Sequence, residues 1–513
     1  YQRHPNNYLN TVIITLVVFT LVIIKPVTSY CQMSVTSTLI SEQHLDNNNG
    51  NDDDDNFFDL IERLNLVYNE EDVLNGDIIL QTRLDGALFL NANDDAYKNS
   101  LNPERITLIY QRQKIKLTVG DYYKQLGRGI AFAVRKADEV LDVSITGGLA
   151  EIDLSNNTIT LFGGFINPSS IDAVNLHHVE NPWDSLAGGN YQFRYDDLAL
   201  FNIWGLFLQQ TQQTIETERD LSLTYGSSLE ITNLIENLSF YIEGDYQQRK
   251  LAGILQNGIA GYSSINYLIG DTTLLLEGIY LDKFETRGSD NSATNIRFSY
   301  NRIPTMMGLK EELLNSRDSR GGRLKLEHYF YQYELLLYAN LLYRENEFQK
   351  PTTKKHEQFA SGGIEFDFDD GLSRIVTISG LRTVNNSDRQ IKSYLRQGVK
   401  LVKYLGNRYS LHINSEYEYR TLEDNGYLIG ETIVGVEKSR GGAIFIEYGI
   451  DNQKQQEQLR QHFVAGGCSY EFNNRIKLRL MAGTRRGGIK CIDGVCRDYP
   501  SFAGINSELI VRY

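Results

Sequence analysis

The sequence predicts an all-β chain that closes into one large antiparallel transmembrane β-barrel, and three observations lead to this prediction. Apolar and polar side chains alternate with period two over long segments. The connections between these segments are alternately short and long. The final segment, residues 505–513, reads INSELIVRY and ends the chain on an aromatic residue.

The alternation is clearest in residues 333–344, where an apolar row has Tyr at both ends. Successive side chains of a strand point to opposite faces, so the row occupies one face. That face carries Tyr333, Leu335, Leu337, Ala339, Leu341 and Tyr343, and the other carries Glu334, Tyr338, Asn340 and Arg344. Residues 409–420 repeat the pattern between Tyr409 and Tyr419. Strands of a soluble sandwich also alternate but average about 5–6 residues, so this length favours a membrane.

Connection lengths are the second observation, because membrane barrels have short turns at one end and long loops at the other. Read from the C-terminus, short connections are expected at 473–475, 439–441, 405–408 and 369–372, and long ones at 451–457, 421–426, 382–391 and 345–357. The rhythm breaks between Leu281 and Gly321, where either one strand is missed or residues 303–320 are an insertion. With roughly 20 residues for each strand and connection, residues 76–513 should form about 22 strands (roughly 18–24).

The N-terminal 75 residues are predicted to lie outside the barrel. Residues 11–24 read TVIITLVVFTLVII, which is short for a spanning helix but suits a signal-peptide core, so residues 1–30 are interpreted as a cleaved leader. A lipoprotein signal ending at Cys31 and an uncleaved anchor are the alternatives. Residues 31–75 are interpreted as an acidic low-complexity spacer, because the run Asp52–Asp55 with its Asn neighbours cannot bury a core. Residues 57–64 could form a short helix within it.

The composition excludes two classes of protein. Only 41% of the residues are hydrophobic, which is too few for a bundle of membrane-spanning helices. The formal net charge is −14, so no nucleic-acid partner is expected, because phosphates are neutralised by clustered Lys and Arg. Tyr occurs 32 times and suits membrane–water boundaries, where its ring lies in the apolar layer.

Four cysteines occur. Cys31 lies at the expected cleavage junction, and Cys468 lies in a strand pattern, where it is interpreted as a free packed thiol. Cys491 and Cys496 enclose a short ring, CIDGVC, that would close as a disulfide in an oxidising compartment. A metal site there is the alternative, although no His or further Cys pair lies nearby. The connection 485–501 is expected to be a loop on the outer surface.

Several stretches resemble a known family. Residues 119–129 read VGDYYKQLGRG, residues 161–168 read LFGGFINP and residues 300–305 read YNRIPT. All three are similar to uncharacterised bacterial outer-membrane barrels named only as a domain of unknown function (DUF6029). The resemblance implies a barrel in the bacterial outer membrane, and it implies no substrate and no catalytic residue. The C-terminal pattern, with Tyr513 in place of the usual Phe, resembles the signal read by the barrel assembly machinery, so that machinery and membrane lipid are the expected partners.

No motif indicates an enzyme, and no catalytic, cofactor or metal site is expected. The turn 127–129 (Gly-Arg-Gly) lacks the further Gly and the strand-to-helix setting of a phosphate loop, so its glycines are interpreted as barrel glycines, of the kind found where strands bend or pack closely. His177, His178 and Glu180 are a weak metal candidate, because adjacent residues of an extended chain point in opposite directions. The sequence holds no Gly-x-Ser-x-Gly turn of the kind that presents a nucleophilic Ser.

Charged residues on the inward faces are the candidate functional residues. Wall side chains cannot fill a barrel of this size, so a lumen or a plug is expected. The candidates that line it are Glu334, Arg344, Glu416, Glu418, Arg420, Glu447, Lys477, Arg479, Glu508 and Arg512. They either pair across the lumen and only solvate it, or they form a charge ladder that biases permeation. The predicted function is a porin-like channel for passive diffusion of small polar solutes. The alternative is a structural or adhesive surface protein that binds partners through its outer loops.

Overall fold

The structure, a computed structural model, describes residues 31–513 apart from 49–53, 74, 93–96, 137–141, 173, 212–219, 252, 292–295, 303, 305–317, 349–353, 386–390, 423–424, 440, 454–459, 493–494 and 500. The predicted leader, residues 1–30, lies outside the described residues and stays a prediction. Among the residues described, no helix has the length and apolar composition needed to cross a membrane.

Regular structure in the described residues consists of strands and of one 3-10 turn at Tyr331–Tyr333. The strands are β1 (Cys31–His44), β2 (Phe58–Val73), β3 (Gly76–Leu90), β4 (Ser100–Arg112), β5 (Ile115–Tyr122), β6 (Lys124–Leu126), β7 (Phe132–Val134), β8 (Val143–Asp153), β9 (Asn157–Pro168), β10 (Ser185–Tyr195), β11 (Ala199–Gln209), β12 (Leu221–Ile235), β13 (Leu238–Leu251), β14 (Ile254–Ile269), β15 (Thr272–Asp282), β16 (Arg287–Asn291), β17 (Ile296–Ser299), β18 (Ser319–Phe330), β19 (Leu335–Asn346), β20 (Lys355–Phe368), β21 (Ser373–Asn385), β22 (Ile391–Gly406), β23 (Tyr409–Leu422), β24 (Asn425–Lys438), β25 (Gly442–Asp451), β26 (His462–Asn473), β27 (Ile476–Arg485), β28 (Gly488–Ile492), β29 (Val495–Tyr499) and β30 (Phe502–Arg512).

The wall is one antiparallel sheet of 24 strands that closes on itself. Sheet neighbours follow one another along the chain, and β30 pairs with β1, with Leu509 opposite Leu39. Closure gives the backbone N–H and C=O groups along the free edges of β1 and β30 hydrogen-bond partners, as backbone groups in lipid require. The predicted fold class is confirmed. The other strands pair separately as β6–β7, β16–β17 and β28–β29.

The two ends of the barrel differ in their connections. One end, called here the short-turn end, has connections of two to four residues, and most connections at the opposite, long-loop end are longer. The predicted long connection at 421–426 is wrong: β23 and β24 pair as far as Leu422 and Asn425, which leaves two residues between them. The break in rhythm between Leu281 and Gly321 is one long connection from β15 to β18, which pair directly, so no wall strand is missed. Residues 303 and 305–317 of the expected insertion lie outside the described residues, and Ser319 and Arg320 belong to β18.

The first two wall strands lie where the sequence predicted a spacer. Residues 31–44 and 58–73 are β1 and β2, so the barrel begins at Cys31 instead of residue 76, and the short helix expected at 57–64 is replaced by the start of β2. Asp54 and Asp55 of the acidic run lie in the connection between them, and Asp52 and Asp53 are outside the described residues. Strand β1 is rich in Ser and Thr on both faces, which hides its period, and its stability comes from pairing with β2 and β30. Since two of the 24 strands precede residue 76, the expected 22 are those of 76–513.

Candidate functional site: the barrel lumen

The two faces of the wall differ in chemistry. On β13 the side chains of Tyr241, Glu243 and Asp245 are buried, whereas those of Ile242 and Tyr246 are exposed. A buried polar face and an exposed apolar face identify the first as the inside of a barrel in lipid. Strand register carries this assignment around the closed sheet, because residues opposite each other on neighbouring strands share a face.

Register places nine of the predicted lumen residues on the inner face. They are Arg344, Glu416, Glu418, Arg420, Glu447, Lys477, Arg479, Glu508 and Arg512. Glu334 is the exception: it follows the 3-10 turn with left-handed backbone (φ 49°), and its side chain is exposed at the short-turn end. The alternation of the sequence runs on through Tyr333 and Glu334, but turn residues do not follow the period of a strand.

Two of the stretches of chain that leave the wall at the long-loop end pack against its inner face and against each other. The first is residues 123–136, which contain the β6–β7 hairpin; the second is residues 284–302, which contain β16–β17. These are named the first and second inner segments. The backbone N–H of Ala133 donates to the Tyr300 carbonyl at 2.7 Å, and that of Arg302 donates to the Gly129 carbonyl at 2.7 Å. Main-chain hydrogen bonds therefore join the two inner segments to each other.

Apolar packing fixes the inner segments against the wall. Phe132 and Tyr300 share a buried cluster with Phe162 of β9, and the rings of Phe132 and Phe162 stack with centroids 6.3 Å apart. Ile130 shares a second buried cluster with Phe359 of β20 on another part of the wall. Burial of one such side chain contributes roughly 1.5–3 kcal/mol. The inner segments are therefore a packed part of the lumen.

The turn 127–129 docks on the wall at Glu243. The backbone N–H of Arg128 donates to the Glu243 carboxylate at 2.7 Å, and its guanidinium carbon lies 4.5 Å from the centre of the Tyr241 ring. Tyr241 donates its hydroxyl to the same carboxylate. A Cβ on Gly127, whose φ is +51°, would overlap that carboxylate. Gly127 and Gly129 thus shape a turn inside the lumen, where Gly127 packs closely on the wall.

Asp184, in the connection before β10, anchors the second inner segment. Its buried carboxylate accepts hydrogen bonds from the Tyr300 hydroxyl at 2.7 Å, the Ser289 backbone N–H at 2.8 Å and the Thr211 backbone N–H at 2.9 Å. Burial, with the charge of Asp184, raises the pKa of Tyr300 well above its ordinary value. The hydroxyl consequently stays protonated, and this one carboxylate holds three parts of the chain together.

A belt of charged side chains lines the inner face from β19 to β23. The Glu357 carboxylate accepts hydrogen bonds from Arg344 at 2.6 Å and from Arg382 at 2.5 Å. The ring of Tyr394 lies between Arg382 and Arg420, whose guanidinium carbons are 4.7 and 5.0 Å from its centre. We call these five residues the arginine belt. Phe359, which shares a cluster with Ile130 of the first inner segment, is the next inward residue after Glu357, so the belt begins where that segment meets the wall.

Ion pairs continue along the inner face beyond the belt. They join Arg420 to Glu418 at 2.6 Å, Arg396 to Glu416 at 3.0 Å, Arg485 to Glu447 at 2.7 Å and Arg479 to Glu508 at 3.0 Å. Exposure differs around the wall: the Arg344 side chain of β19 is 3% exposed, whereas those of Arg485 and Arg479 of β27 are 42% and 55% exposed. The side chains of the arginine belt are accordingly more tightly packed than those on the inner face of β27.

The candidate metal and thiol residues of the sequence fall elsewhere. Among the described residues, the ligand atoms close enough to share an ion belong to Glu42, His44 and Asp59, and the pair His177–His178 is not part of such a group. Burial lowers the pKa of His178, which favours its neutral form. Sequence reasoning missed Glu42 and His44 because it assigned them to a spacer; their spacing of two on one strand face was the available signal.

The cysteines partly follow expectation. Cys468 is free, but its side chain is exposed on the outer face of β26 rather than packed. Cys491 and Cys496 are directly opposed backbone partners in the β28–β29 hairpin, within the connection expected to be an outer loop. Their side chains lie outside what the structure describes, so the disulfide stays a prediction.

The three stretches that resemble a family meet in space. Residues 119–129 end β5 and begin the first inner segment, and residues 161–168 belong to wall strand β9 behind it. Tyr300, near the end of the second inner segment, lies in the same buried cluster as residues of both stretches. Tyr122 donates its hydroxyl to the Gly163 carbonyl at 3.1 Å, which ties the first stretch to the second. These motifs therefore form parts of the inner segments and of the wall strand on which they pack.

A family model agrees with the resemblance. The model of a family of unknown function (DUF6029) matches residues 403–513, about a fifth of the chain, so the recognition made from the sequence is confirmed. No curated protein matches the sequence.

Solved structures give remote likenesses. The siderophore receptor PirA from Pseudomonas aeruginosa has a TM-score of 0.45 and 9% identity over 95% of this chain and 81% of that chain. OccK2 (OpdF) from Pseudomonas aeruginosa, in complex with glucuronate, has a TM-score of 0.43 and 11% identity over 72% of this chain and 96% of that chain. The P pilus usher (PapC) translocation pore has a TM-score of 0.42 and 8% identity over 94% of this chain and 99% of that chain. Likenesses this remote imply no function.

Proposed function

We propose that this protein is a channel of the bacterial outer membrane through which small polar solutes diffuse passively. The observation that carries the proposal is the opposite chemistry of the two faces of the closed wall. Ile444 and Ile446 of β25 face outward and are 69% and 63% exposed, while Glu447 beside them faces inward. An apolar outside suits lipid and a charged inside suits water, as in a porin wall.

The inner segments support a narrow pore over a wide one. They pack on the inner face from β5 to β15 and reach β20 through Ile130, which leaves the charged inner face of the remaining strands facing the rest of the lumen. We place the proposed constriction between the inner segments and the arginine belt. From there the path would widen toward the exposed Arg479 at the short-turn end. Charged side chains along such a path replace part of a solute's hydration.

Reconstitution tests the proposal directly. Purified protein that shows the heat-modifiable mobility of a folded barrel is inserted into planar bilayers and into liposomes. Discrete conductance steps and swelling in small sugars are expected. Folded protein that inserts but gives neither result contradicts the channel, and it is what a structural or adhesive surface protein would give.

A paired set of variants links any conductance to the inner segments. Phe132→Ala removes a buried ring of the first inner segment and should cost about 3–5 kcal/mol of packing, so conductance should rise or fluctuate. Phe207→Ala removes an exposed ring on the outer face of β11 and should leave conductance unchanged. Equal conductance in both variants would contradict the proposed constriction.

A further inference from the structure

Three potential metal ligands meet on the inner face where the barrel closes. Glu42 and His44 lie two residues apart on β1, and Asp59 stands opposite Glu42 on β2. The His44 Nε2 atom is 2.8 Å from Asp59 Oδ2 and 3.4 Å from Glu42 Oε2. Zn²⁺ holds N and O ligands at about 2.0–2.2 Å in a tetrahedron, which sets neighbouring ligand atoms about 3.3 Å apart. Both distances to His44 are near that spacing, and all three ligand atoms lie within 4.8 Å of one another.

The cluster is enclosed. The Asp59 side chain is 0% exposed, and its Oδ1 atom has no hydrogen-bond partner among the residues that the structure describes. The His44 ring stacks on Phe57 with centroids 4.0 Å apart and meets the edge of Phe502 at 5.4 Å. A buried carboxylate oxygen left without a partner costs about 1–3 kcal/mol or more, and a cation held by both oxygens of Asp59 would remove that cost.

The charge of the group and the orientation of the Glu42 carboxylate also favour a bound cation. Two carboxylates share one imidazole, so the group carries excess negative charge even when His44 is protonated. Asn506 of β30, opposite Glu42 in register, donates its side-chain N–H to Glu42 Oε1 and leaves Oε2 turned toward His44. Hydrogen bonds of this kind orient the ligands of metal sites.

We propose that Glu42, His44 and Asp59 bind one divalent transition-metal ion at the β1–β2–β30 junction. One imidazole and two carboxylates suit Zn²⁺ and related ions, with a further position left for water. The ion would link β1 to β2 beside the pair that closes the barrel, and its role would be structural. The proposal is independent of the channel function, because the residues lie on the closing strands and outside the arginine belt.

Calorimetric titration of the purified, detergent-solubilised full chain with Zn²⁺, after removal of metal by a chelator, tests the proposal. One equivalent should bind, and His44→Gln and Asp59→Asn should each weaken binding at least about 100-fold, more than the loss of an orienting residue usually costs. Asn506→Ala, which removes only the orienting bond, should weaken binding about 10- to 100-fold. His412→Gln is the matched control, because His412 lies 3.4 Å from Glu437 on another part of the wall.

Heat-modifiable mobility establishes that each variant is folded, and Asp59→Asn keeps a side chain of the same shape should His44→Gln not fold. Wild-type binding that His44→Gln and Asp59→Asn leave intact would overturn the proposal, and so would loss of binding in His412→Gln alone. A wild-type protein that binds no Zn²⁺ also overturns it and leaves the cluster as a buried imidazolium–carboxylate pair.

Discussion

The backbone amide of Arg128 donates a hydrogen bond of 2.7 Å to the carboxylate of Glu243, which joins the first inner segment to β13 across 115 positions of the chain. Gly127, the preceding residue, lies against the same carboxylate. The position of the inner segment therefore depends on the absence of a side chain at residue 127.

Gly127→Ala should displace the first inner segment. An L-residue at its positive φ costs roughly 1–2 kcal/mol, and the added Cβ also meets the Glu243 carboxylate. Gly270→Ala is the control, because Gly270 has a similar φ of +56° with nothing within 4 Å of an added Cβ. The temperature at which the folded band converts on a gel should fall further for Gly127→Ala. Equal decreases would mean that Glu243 moves aside without cost.

Glu357→Gln should shift the selectivity of the pore toward anions. The substitution removes one negative charge from the arginine belt and leaves the guanidinium groups of Arg344 and Arg382 without their shared carboxylate. Loss of one partner of a buried ion pair also costs about 3–5 kcal/mol of stability. The reversal potential in a KCl gradient measures the shift. Glu345→Gln, whose partner Arg320 lies on the outer face, should leave the reversal potential unchanged, and an equal shift there would contradict the inward position of the belt.

Leu337→Arg should impair membrane insertion, whereas Asn414→Arg should not. Leu337 lies on the outer face of β19, where Arg near the middle of the bilayer costs about 2–4 kcal/mol. Asn414 is an exposed inward residue of β23, where an added guanidinium meets water. The folded fraction recovered from membranes measures both. Similar yields for the two variants would contradict the assignment of the faces.

Deletion of Tyr513 should lower the amount of protein in the outer membrane. Tyr513 exchanges two backbone hydrogen bonds with Val35 across the junction of β30 and β1, at 2.8 and 3.3 Å. It also ends the segment that resembles the signal of the assembly machinery. Deletion of the acidic run 52–55 in the β1–β2 loop is the comparison and should have a smaller effect. Normal outer-membrane levels of the protein without Tyr513 would contradict the role of the C-terminal segment as an assembly signal.

Cys491 and Cys496 should form a disulfide in the exported protein. Their backbones are direct partners in the β28–β29 hairpin, which is the pairing that a short bridge needs. A small closed ring should add at most about 2–3 kcal/mol to stability. Thiol labelling of intact cells should fail without reductant and succeed with it. Labelling of both cysteines before reduction would exclude the bridge.

Alternation predicted wall strands such as β19 and β23, because each of them has one apolar and one polar face. Strand β11 is apolar on both faces, with Leu206 buried inside and Phe207 exposed outside. Alternation failed at β1, where Thr36 and Thr38 face inward and Ser37 and Ser41 face outward, so that both faces read as polar. Pairing on both sides stabilises that strand, and pairing is not visible in the residues themselves.

The inner segments could not be predicted for a different reason. Residues 126–134 read LGRGIAFAV, which is typical of a wall strand as much as of a buried turn. What directs them into the lumen is the contact with Glu243 and the bonds to Tyr300 and Arg302, all more than 100 positions away. The charged inner face was easier to find, since its residues alternate with apolar ones, whereas the sharing of Glu357 by two arginines depends on register between strands.

The inner segments also constrain the order in which the molecule can assemble. Both enter from the long-loop end and are bonded to each other, so we expect them to dock while the wall is still open, when their aromatic side chains are easiest to bury. Residues 115–302 hold both segments and most of the strands they pack on, and they could condense as a nucleus while the later strands, with Phe359 of β20 among them, are still being added. Pairing of β1 with β30 joins positions more than 450 residues apart and would then come last. Loop-closure entropy makes such a contact slow to form, so closure of the junction would be the slow step of folding.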